Sequence, residues 1–138
     1  MVAARIGQML HGGEVIELTS DVGGGKTTFV RGLAAGFGSP DAVASPTFTL
    51  SKVYMADDKA MHHYDLYRVE DFEVISHELA EILEDDNAVV VIEWPQTLQK
   101  LLPDARLRVH LEPVAEDQHR KLTLQAPSTY EYVLEQAT

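Results

Sequence analysis

The sequence predicts an α/β domain in which helices cover both faces of a mixed parallel and antiparallel sheet. Residues 88–93 form an apolar, largely β-branched run that ends in an acid, as expected of a strand buried on both faces of a parallel sheet. Elsewhere, short strand-like runs alternate with stretches whose apolar residues recur at helical spacing. We therefore expect a three-layer sandwich, and 138 residues suit a single domain spanning 1–138.

The first half of the chain is expected to contain two helices, a strand and a hairpin. Apolar residues at helical spacing predict both helices, and glycines follow each of them. Extended runs on either side of an acidic turn predict the hairpin. The expected elements are a helix at 3–10, a strand at 14–19, a helix at 27–37, and hairpin strands at 45–54 and 61–67 with a turn at 57–59.

The second half is expected to add helices around the buried strand and a pair of strands at one edge. Asp71 is a candidate N-cap for a helix at 72–83. Ser128 and Glu131 have the spacing of a capping box before a final helix. The other expected elements are the strand at 88–93, a short helix at 95–102 and an antiparallel pair at 106–111 and 121–124.

The composition narrows the function classes. Acidic residues number 22 against 11 basic ones, a net charge of -11, which weighs against a surface that binds tRNA or DNA directly. The longest apolar run, 88–92, is too short to cross a bilayer, and the N-terminus lacks the apolar core of a secretory signal. The chain has no cysteine. We expect a cytoplasmic protein with no membrane contact.

The stretch 20–27, S-D-V-G-G-G-K-T, follows a predicted strand and opens a predicted helix. It matches the phosphate-binding loop pattern G-x-x-x-x-G-K-[S/T] except at Ser20, where the pattern has glycine. Glycines let backbone N–H groups converge on a phosphate, and the helix N-terminus adds its dipole. Lys26 would reach the β- and γ-phosphates and Thr27 would bind magnesium. The alternative is a glycine-rich turn before an ordinary helix.

Two acids are candidates to work with this loop. Glu93 ends the buried strand, the usual place for the acid that holds the magnesium of a phosphate loop. The alternative is an acid that faces solvent. His63, Asp65 and Tyr67 alternate along a predicted strand and share one face. That face is either solvent-exposed or functional, and in the second case Asp65 is a further magnesium-associated acid or a base for water.

Other motifs carry weaker or negative signals. Thr47 follows Ser45 and Pro46 in a loop, where it would sense the γ-phosphate or, as spacing alone favours, stabilise a turn. The histidines lack zinc-ligand spacing, and His62 and His63 point to opposite faces of a strand. The base-reading motif of GTPases, N-K-x-D, is absent, as is an arginine-rich lid of the kind that a small-molecule kinase uses.

Taken together, the segments 20–28, 45–50, 63–68 and 92–95 give the chain a resemblance to a known family. It resembles the TsaE family, small bacterial phosphate-loop (P-loop) ATPases of tRNA threonylcarbamoyladenosine synthesis, and the similarity runs from about residue 6 to about residue 124. The D-L-Y-R and E-W-P motifs are the distinctive ones, since phosphate loops occur in many families.

The resemblance implies a cytoplasmic ATPase with a P-loop NTPase-like fold, ATP and Mg²⁺ as cofactors, and weak activity unless partners stimulate it. Its partners would be the two proteins that transfer a threonylcarbamoyl group to N6 of adenosine 37, with tRNA contacted only indirectly. ATP hydrolysis would reset that complex between turnovers. Catalysis would fall to Lys26, Asp65 and Glu93, and the metal to Thr27, Asp65 and Glu93. The implied nucleotide-binding residues are Gly23, Gly24, Gly25, Lys26, Thr27, Thr28, Thr47 and Trp94.

Two features depart from the family pattern. Ser20 adds a side chain at the strand exit, which we expect to strain the loop only slightly while it could lower ATP affinity. The family also has a strand before its first helix, whereas only about twelve residues precede Gly13 here, so either the sheet edge is shorter or the chain starts late.

The sequence leaves two alternative functions open. They are a nucleotide-dependent binding module without hydrolysis, or a small-molecule kinase.

Overall fold

The computed structural model describes residues 2–20, 25–40, 51–66, 72–93, 102–113 and 120–137. Within these residues, helices and strands follow the order that the sequence predicts, and most of their ends agree within two residues. The helices are α1 (Val2–Met9), α2 (Lys26–Phe37), α3 (Phe72–Leu83) and α4 (Glu131–Ala137). The strands are β1 (Val15–Ser20), β2 (Ser51–Ala56), β3 (Lys59–Asp65), β4 (Ala88–Glu93), β5 (Leu107–Pro113) and β6 (Arg120–Gln125).

These strands form one sheet in the order β2-β3-β4-β1-β5-β6. The four central strands run parallel, while β2 and β6 pair antiparallel to β3 and β5 at the two edges. The structure therefore confirms the mixed sheet, the hairpin and the antiparallel edge pair. The first four residues of both central strands, β4 and β1, are buried. The continuous apolar run predicts this for β4, whereas β1 includes the buried acid Glu17.

The sheet separates two hydrophobic clusters. On one face, α1, α2 and α4 pack over side chains such as Ile16, Leu18 and Val91. On the other face, α3 packs over Tyr64, Val90 and neighbouring residues. Helices on both sides of one sheet make the expected three layers.

Glycine allows α1 and α2 to approach closely on the first face. A Cβ atom added at Gly7 would overlap the carbonyl oxygen of Leu33, and one added at Gly36 would overlap that of Ala4. Both neighbours are backbone atoms, which cannot rotate away as a side chain would. The contact between the two helices therefore depends on the absence of a side chain at these positions.

A buried carboxylate joins the two ends of the chain. Glu14 is 2% exposed and accepts hydrogen bonds from the backbone amides of His11 and Gly12, each at 2.7 Å. Its Oε2 also accepts a 2.6 Å bond from the hydroxyl of Tyr132 in α4. These three donors offset the cost of burying the charge and attach the C-terminal helix to the turn before β1.

The capping box predicted at Ser128 and Glu131 is wrong. Residues Ser128–Tyr130 form a 3₁₀ turn, and no side chain caps it. Backbone carbonyls accept instead: the amide of Tyr130 bonds to Pro127 and that of Glu131 to Ser128. A 3₁₀ turn closes its own i to i+3 bonds, so the serine hydroxyl is not needed as an acceptor.

Some predicted elements fall beyond the part of the chain that the structure describes. These are the N-cap at Asp71, the part of the hairpin strand predicted at 45–50, and most of the short helix at 95–102. The strand β3 ends at Asp65, and Tyr67 also lies outside the described residues. Among the described helices, none is long and apolar enough to cross a membrane.

Candidate active site

The carboxyl ends of three parallel strands meet at one edge of the sheet. Asp65, the last residue of β3, pairs in register with Glu93, the last residue of β4. Glu93 pairs in turn with Leu18 of β1, two residues before that strand ends at Ser20. Since neighbouring strands lie about 4.8 Å apart, Glu93 lies next to the last residues of β1, and Asp65 lies one strand further away. Ligands of open α/β sheets bind at such an edge.

Strand alternation places both carboxylates on the face that α2 covers. Val89 and Val91 of β4 belong to the cluster under α2, so Glu93, at the same parity, points to that face. Met61 of β3 belongs to the same cluster, and Asp65 follows it at an even spacing. The two acids therefore lie on the same side of the sheet as the helix that follows the glycine-rich loop.

The start of α2 has the backbone geometry of a loop that turns sharply into a helix. Gly25 is the N-cap residue, in the left-handed region at φ 80°, which glycine adopts without strain. The amide of Phe29 donates to the carbonyl of Gly25 at 3.0 Å, the first bond of the helix. The amides of Thr27 and Thr28 precede it, in the turn where a helix offers no internal acceptor and where anions bind.

Lys26 and Thr27 occupy the first two positions of α2, both partly exposed. They are thus at the helix terminus nearest the strand exits, as the motif predicts. Ser20 is still a strand residue, paired with Leu111 of β5, so its departure from the pattern falls at the end of β1. The structure brings together Gly25, Lys26, Thr27 and Thr28 at one end of α2 and places Asp65 and Glu93 side by side at the neighbouring strand ends.

Glu93 is buried and fixed by a histidine. The residue is 3% exposed, and its Oε2 lies 2.6 Å from Nε2 of His63, which is itself wholly buried. On the other side of the ring, Nδ1 lies 3.3 Å from the hydroxyl of Tyr54 in β2. The alternative that Glu93 faces solvent is therefore wrong. The alternative that the strand face is exposed is also wrong at His63. Sequence reasoning placed His63 beside Asp65 but gave it no role, because its bond to Glu93 depends on the pairing of β3 with β4.

The oxygens at this edge suit a hard divalent cation. Carboxylates and hydroxyls are the side-chain ligands that Mg²⁺ takes, and it keeps several waters, so a site needs few protein ligands. Among the described residues, no three His, Cys, Asp or Glu side chains gather into a metal site, and Asp65 with Glu93 is a pair. A pair of acids fits a metal that is shared with phosphate oxygens better than one held by protein alone.

The perturbed pKa values belong to other parts of the fold. Burial lowers the pKa of His62, although Asp85 and Glu78 act in the opposite direction. Burial and a hydrogen bond from its hydroxyl to Glu78 raise the pKa of Tyr64. Both residues lie on or near the face that α3 covers, so these shifts report packing there.

A separate polar depression of about 300 Å³ opens on the opposite face of β1, β5 and β6. Its floor includes the carboxylate of Glu17. Oε1 lies 3.5 Å from Nη2 of the buried Arg106, and Oε2 lies 3.3 Å from Nε of Arg108. Thr19 contributes its hydroxyl, 2.7 Å from Nδ1 of His110. These side chains point away from α2, so the depression is distinct from the edge where Asp65 and Glu93 lie.

Several predicted site residues lie outside the described part of the chain. The structure therefore leaves their roles as predictions. They are Gly23 and Gly24 of the loop, Thr47, Tyr67 and Trp94.

The first strand of the parallel central sheet is followed in sequence by a glycine-rich K-T loop and a helix, and the next two strands on one side, β4 and β3, each end in an acid. This arrangement defines the phosphate-loop class of nucleotide-binding α/β proteins. The family model described as threonylcarbamoyl adenosine biosynthesis protein TsaE matches residues 1–122. The chain belongs to the TsaE family, as its sequence motifs predict.

Relatives support this membership over most of the chain. The TsaE protein of Bacillus subtilis is 36% identical over 125 residues, which cover 90% of this chain and 77% of that protein. The TsaE protein of Treponema pallidum is 34% identical over 119 residues, covering 86% and 87% of the two chains. Both relatives are named tRNA threonylcarbamoyladenosine biosynthesis proteins.

A solved structure supports the fold. The crystal structure of Bacillus subtilis YdiB superposes with a TM-score of 0.77 at 28% identity. The superposition covers 99% of this chain and 84% of that one. The two proteins therefore share the same α/β fold.

Proposed function

We propose that this protein is the ATP-binding and ATP-hydrolysing subunit of tRNA N6-threonylcarbamoyladenosine formation at position 37. Family membership supports the pathway. The observation that supports hydrolysis is the register pair of Asp65 and Glu93 on the sheet face that α2 covers, since α2 begins with Lys26 and Thr27. Two acids next to a phosphate loop supply a metal site and a place to orient water.

In this proposal the chain's own residues divide the work by their chemistry. The amides at the start of α2 and the ammonium of Lys26 bind the phosphates and stabilise the charge that develops on the γ-phosphoryl group. Thr27, Asp65 and Glu93 supply the oxygens for magnesium. When bound, Mg²⁺ would neutralise phosphate charge and polarise the bond that breaks. Either Asp65 or Glu93 orients the attacking water.

The net charge of -11 supports a protein partner rather than direct contact with tRNA. We propose that the partner is the cytoplasmic two-protein complex that transfers the threonylcarbamoyl group, and that hydrolysis resets this complex between turnovers. A low intrinsic rate would follow if the partner completes the site, for example by ordering the loop that contains Thr47.

The test compares phosphate release by wild type and Lys26→Ala, with and without the transferase complex. We expect slow release by wild type, faster release with the complex, and a loss of roughly 100-fold in the variant because a transition-state charge contact is removed. Lys121→Ala is the matched control, since Lys121 is exposed on the edge strand β6. Equal rates for wild type and Lys26→Ala would contradict the proposal.

The two alternative functions give different results in the same assay. A binding module without hydrolysis would show an ATP-dependent change in partner affinity that survives in both Asp65→Ala and Glu93→Ala. A kinase would transfer the phosphate to an acceptor instead of releasing it. Release of free phosphate by wild type that is lost in Lys26→Ala would exclude both alternative functions.

A further inference from the structure

We propose that His63 is a positioning residue that holds the carboxylate of Glu93 in one orientation for the metal. This inference rests on the proposed function, because it concerns the same site. His63 lies on β3, two residues before Asp65, and reaches across to the end of β4. The short contact between Nε2 and Oε2, 2.6 Å, joins two residues that are both almost wholly buried.

The chemistry of the groups sets the direction of the hydrogen bond. When Glu93 is ionised its carboxylate only accepts, and Nε2 of His63 then carries the proton and donates to Glu93. The ring nitrogen on the other side, Nδ1, then accepts from the hydroxyl of Tyr54 when the ring is neutral. Tyr54 is 1% exposed, so water does not compete for this bond in the described structure. Hydrogen bonds thus connect Tyr54 of β2, through His63 of β3, to Glu93 at the end of β4.

This hydrogen-bond network restricts the orientation of the Glu93 carboxylate. A glutamate side chain has several rotatable bonds, and a carboxylate that is held through one oxygen presents the other in a fixed direction. Outer-shell partners of this kind orient metal ligands, and their removal typically lowers metal affinity roughly 10- to 100-fold. Packing alone does not require a histidine at position 63, because an apolar side chain of similar volume would fill the same space.

The first test separates the metal from the nucleotide. Binding of a fluorescent ATP analogue is measured in EDTA and then as a function of Mg²⁺ for wild type, His63→Leu and His63→Gln. We expect His63→Leu to bind the analogue without metal as wild type does, within about twofold, and to need roughly 10- to 100-fold more Mg²⁺. His63→Gln, whose amide nitrogen can donate from a similar position, should recover most of the loss.

His62→Gln is the matched control, because His62 is the neighbouring residue on the opposite face of β3. It should leave both measurements unchanged. If His63→Leu lost as much affinity for the ATP analogue in EDTA as with Mg²⁺, the role of His63 would be purely structural and the proposal would be overturned. An unchanged affinity under both conditions would overturn it as well. A wild type that shows no nucleotide binding would instead overturn the proposed function, and this inference with it.

The second test needs no substitution and so does not depend on how the variants fold. A long-range ¹H–¹⁵N spectrum of the wild-type protein identifies which ring nitrogen of His63 carries a proton. We expect a protonated Nε2 whose proton resonates far downfield, as a short bond to a carboxylate predicts. An unprotonated Nε2 would overturn the proposal, since His63 could not then donate to Glu93.

Discussion

Asp65 and Glu93 are register partners at the last positions of two adjacent parallel strands. Their strands leave the sheet at the same edge, and the amide of Leu66 donates to the carbonyl of Glu93 at 3.1 Å just beyond the pair. Side chains in register point to the same face, so the two acids are neighbours on the sheet face that α2 covers, and like charges at neighbouring positions repel when both are ionised. A cation between or beside them would relieve that repulsion, and the pair therefore supports the magnesium site that we propose.

The first prediction concerns the metal dependence of Glu93. Glu93→Gln should lower the rate of ATP hydrolysis by roughly 100-fold or more, since several kcal/mol of charge stabilisation by the metal are lost. Nucleotide affinity in EDTA should stay the same or rise, because a negative charge near the phosphates is removed. Steady-state kinetics over a range of Mg²⁺ concentrations, with nucleotide titrations in EDTA, check both parts.

Glu112→Gln is the control for that prediction. Glu112 is a partly exposed acid of β5 and lines the polar depression on the opposite face. Its substitution should leave hydrolysis unchanged. If Glu93→Gln hydrolyses ATP as fast as Glu112→Gln, Glu93 does not hold the metal.

The second prediction concerns the close approach of α1 and α2. Gly36→Ala should lower the free energy of unfolding by about 1–3 kcal/mol, because the added methyl group meets the backbone of Ala4. Helix propensity alone predicts the opposite sign, a gain of up to about 1 kcal/mol. We expect crowding to prevail, since the carbonyl of Ala4 is fixed within α1. Urea denaturation of wild type and variant measures the difference.

The adjacent residue provides the comparison. Ala35 is exposed on the same helix, so Ala35→Gly should cost about 1 kcal/mol through propensity alone. Stabilisation by Gly36→Ala would show that α1 can move away from α2 at little cost.

The third prediction concerns the attachment of the C-terminal helix. Tyr132→Phe should destabilise the protein by about 1 kcal/mol at neutral pH, because Glu14 loses one of three donors while two backbone amides remain. Glu14→Gln should cost more, since it removes the charge that all three donors contact. Denaturation curves of the three proteins at pH 7 measure these differences.

Alkaline pH should reduce the effect of Tyr132→Phe. Burial, then the hydrogen bond to Glu14 and its charge, raises the pKa of Tyr132 in the folded protein above the ordinary value of about 10. The folded state then retains a proton that the unfolded state releases, so stability falls as pH rises. The contribution of Tyr132 is complete below pH of about 10 and is lost as pH rises through the folded pKa. A gap between wild type and Tyr132→Phe that widens at alkaline pH would contradict this.

The sequence was most informative where the signal is local. The apolar run at 88–93 predicted β4 with its exact ends, and helical spacing predicted α2 within one residue. The spacing of Lys26 and Thr27 after glycines identified the helix start, because a backbone that must curl around a phosphate needs glycine at fixed positions. Ser128 shows the limit of local signals, since its capping pattern was present and a 3₁₀ turn formed instead.

By itself, then, the sequence determined the fold class, the start of α2 after the glycine-rich stretch and the acid that ends β4, each of which depends on residues close together in the chain. The tertiary structure decided what those residues contact. His63 meets Glu93 across 30 residues, and Tyr132 meets Glu14 across 118. Both bonds exist only because of strand order, register and helix docking. These arise when many weak, distant contacts form together, and no short stretch of sequence encodes them.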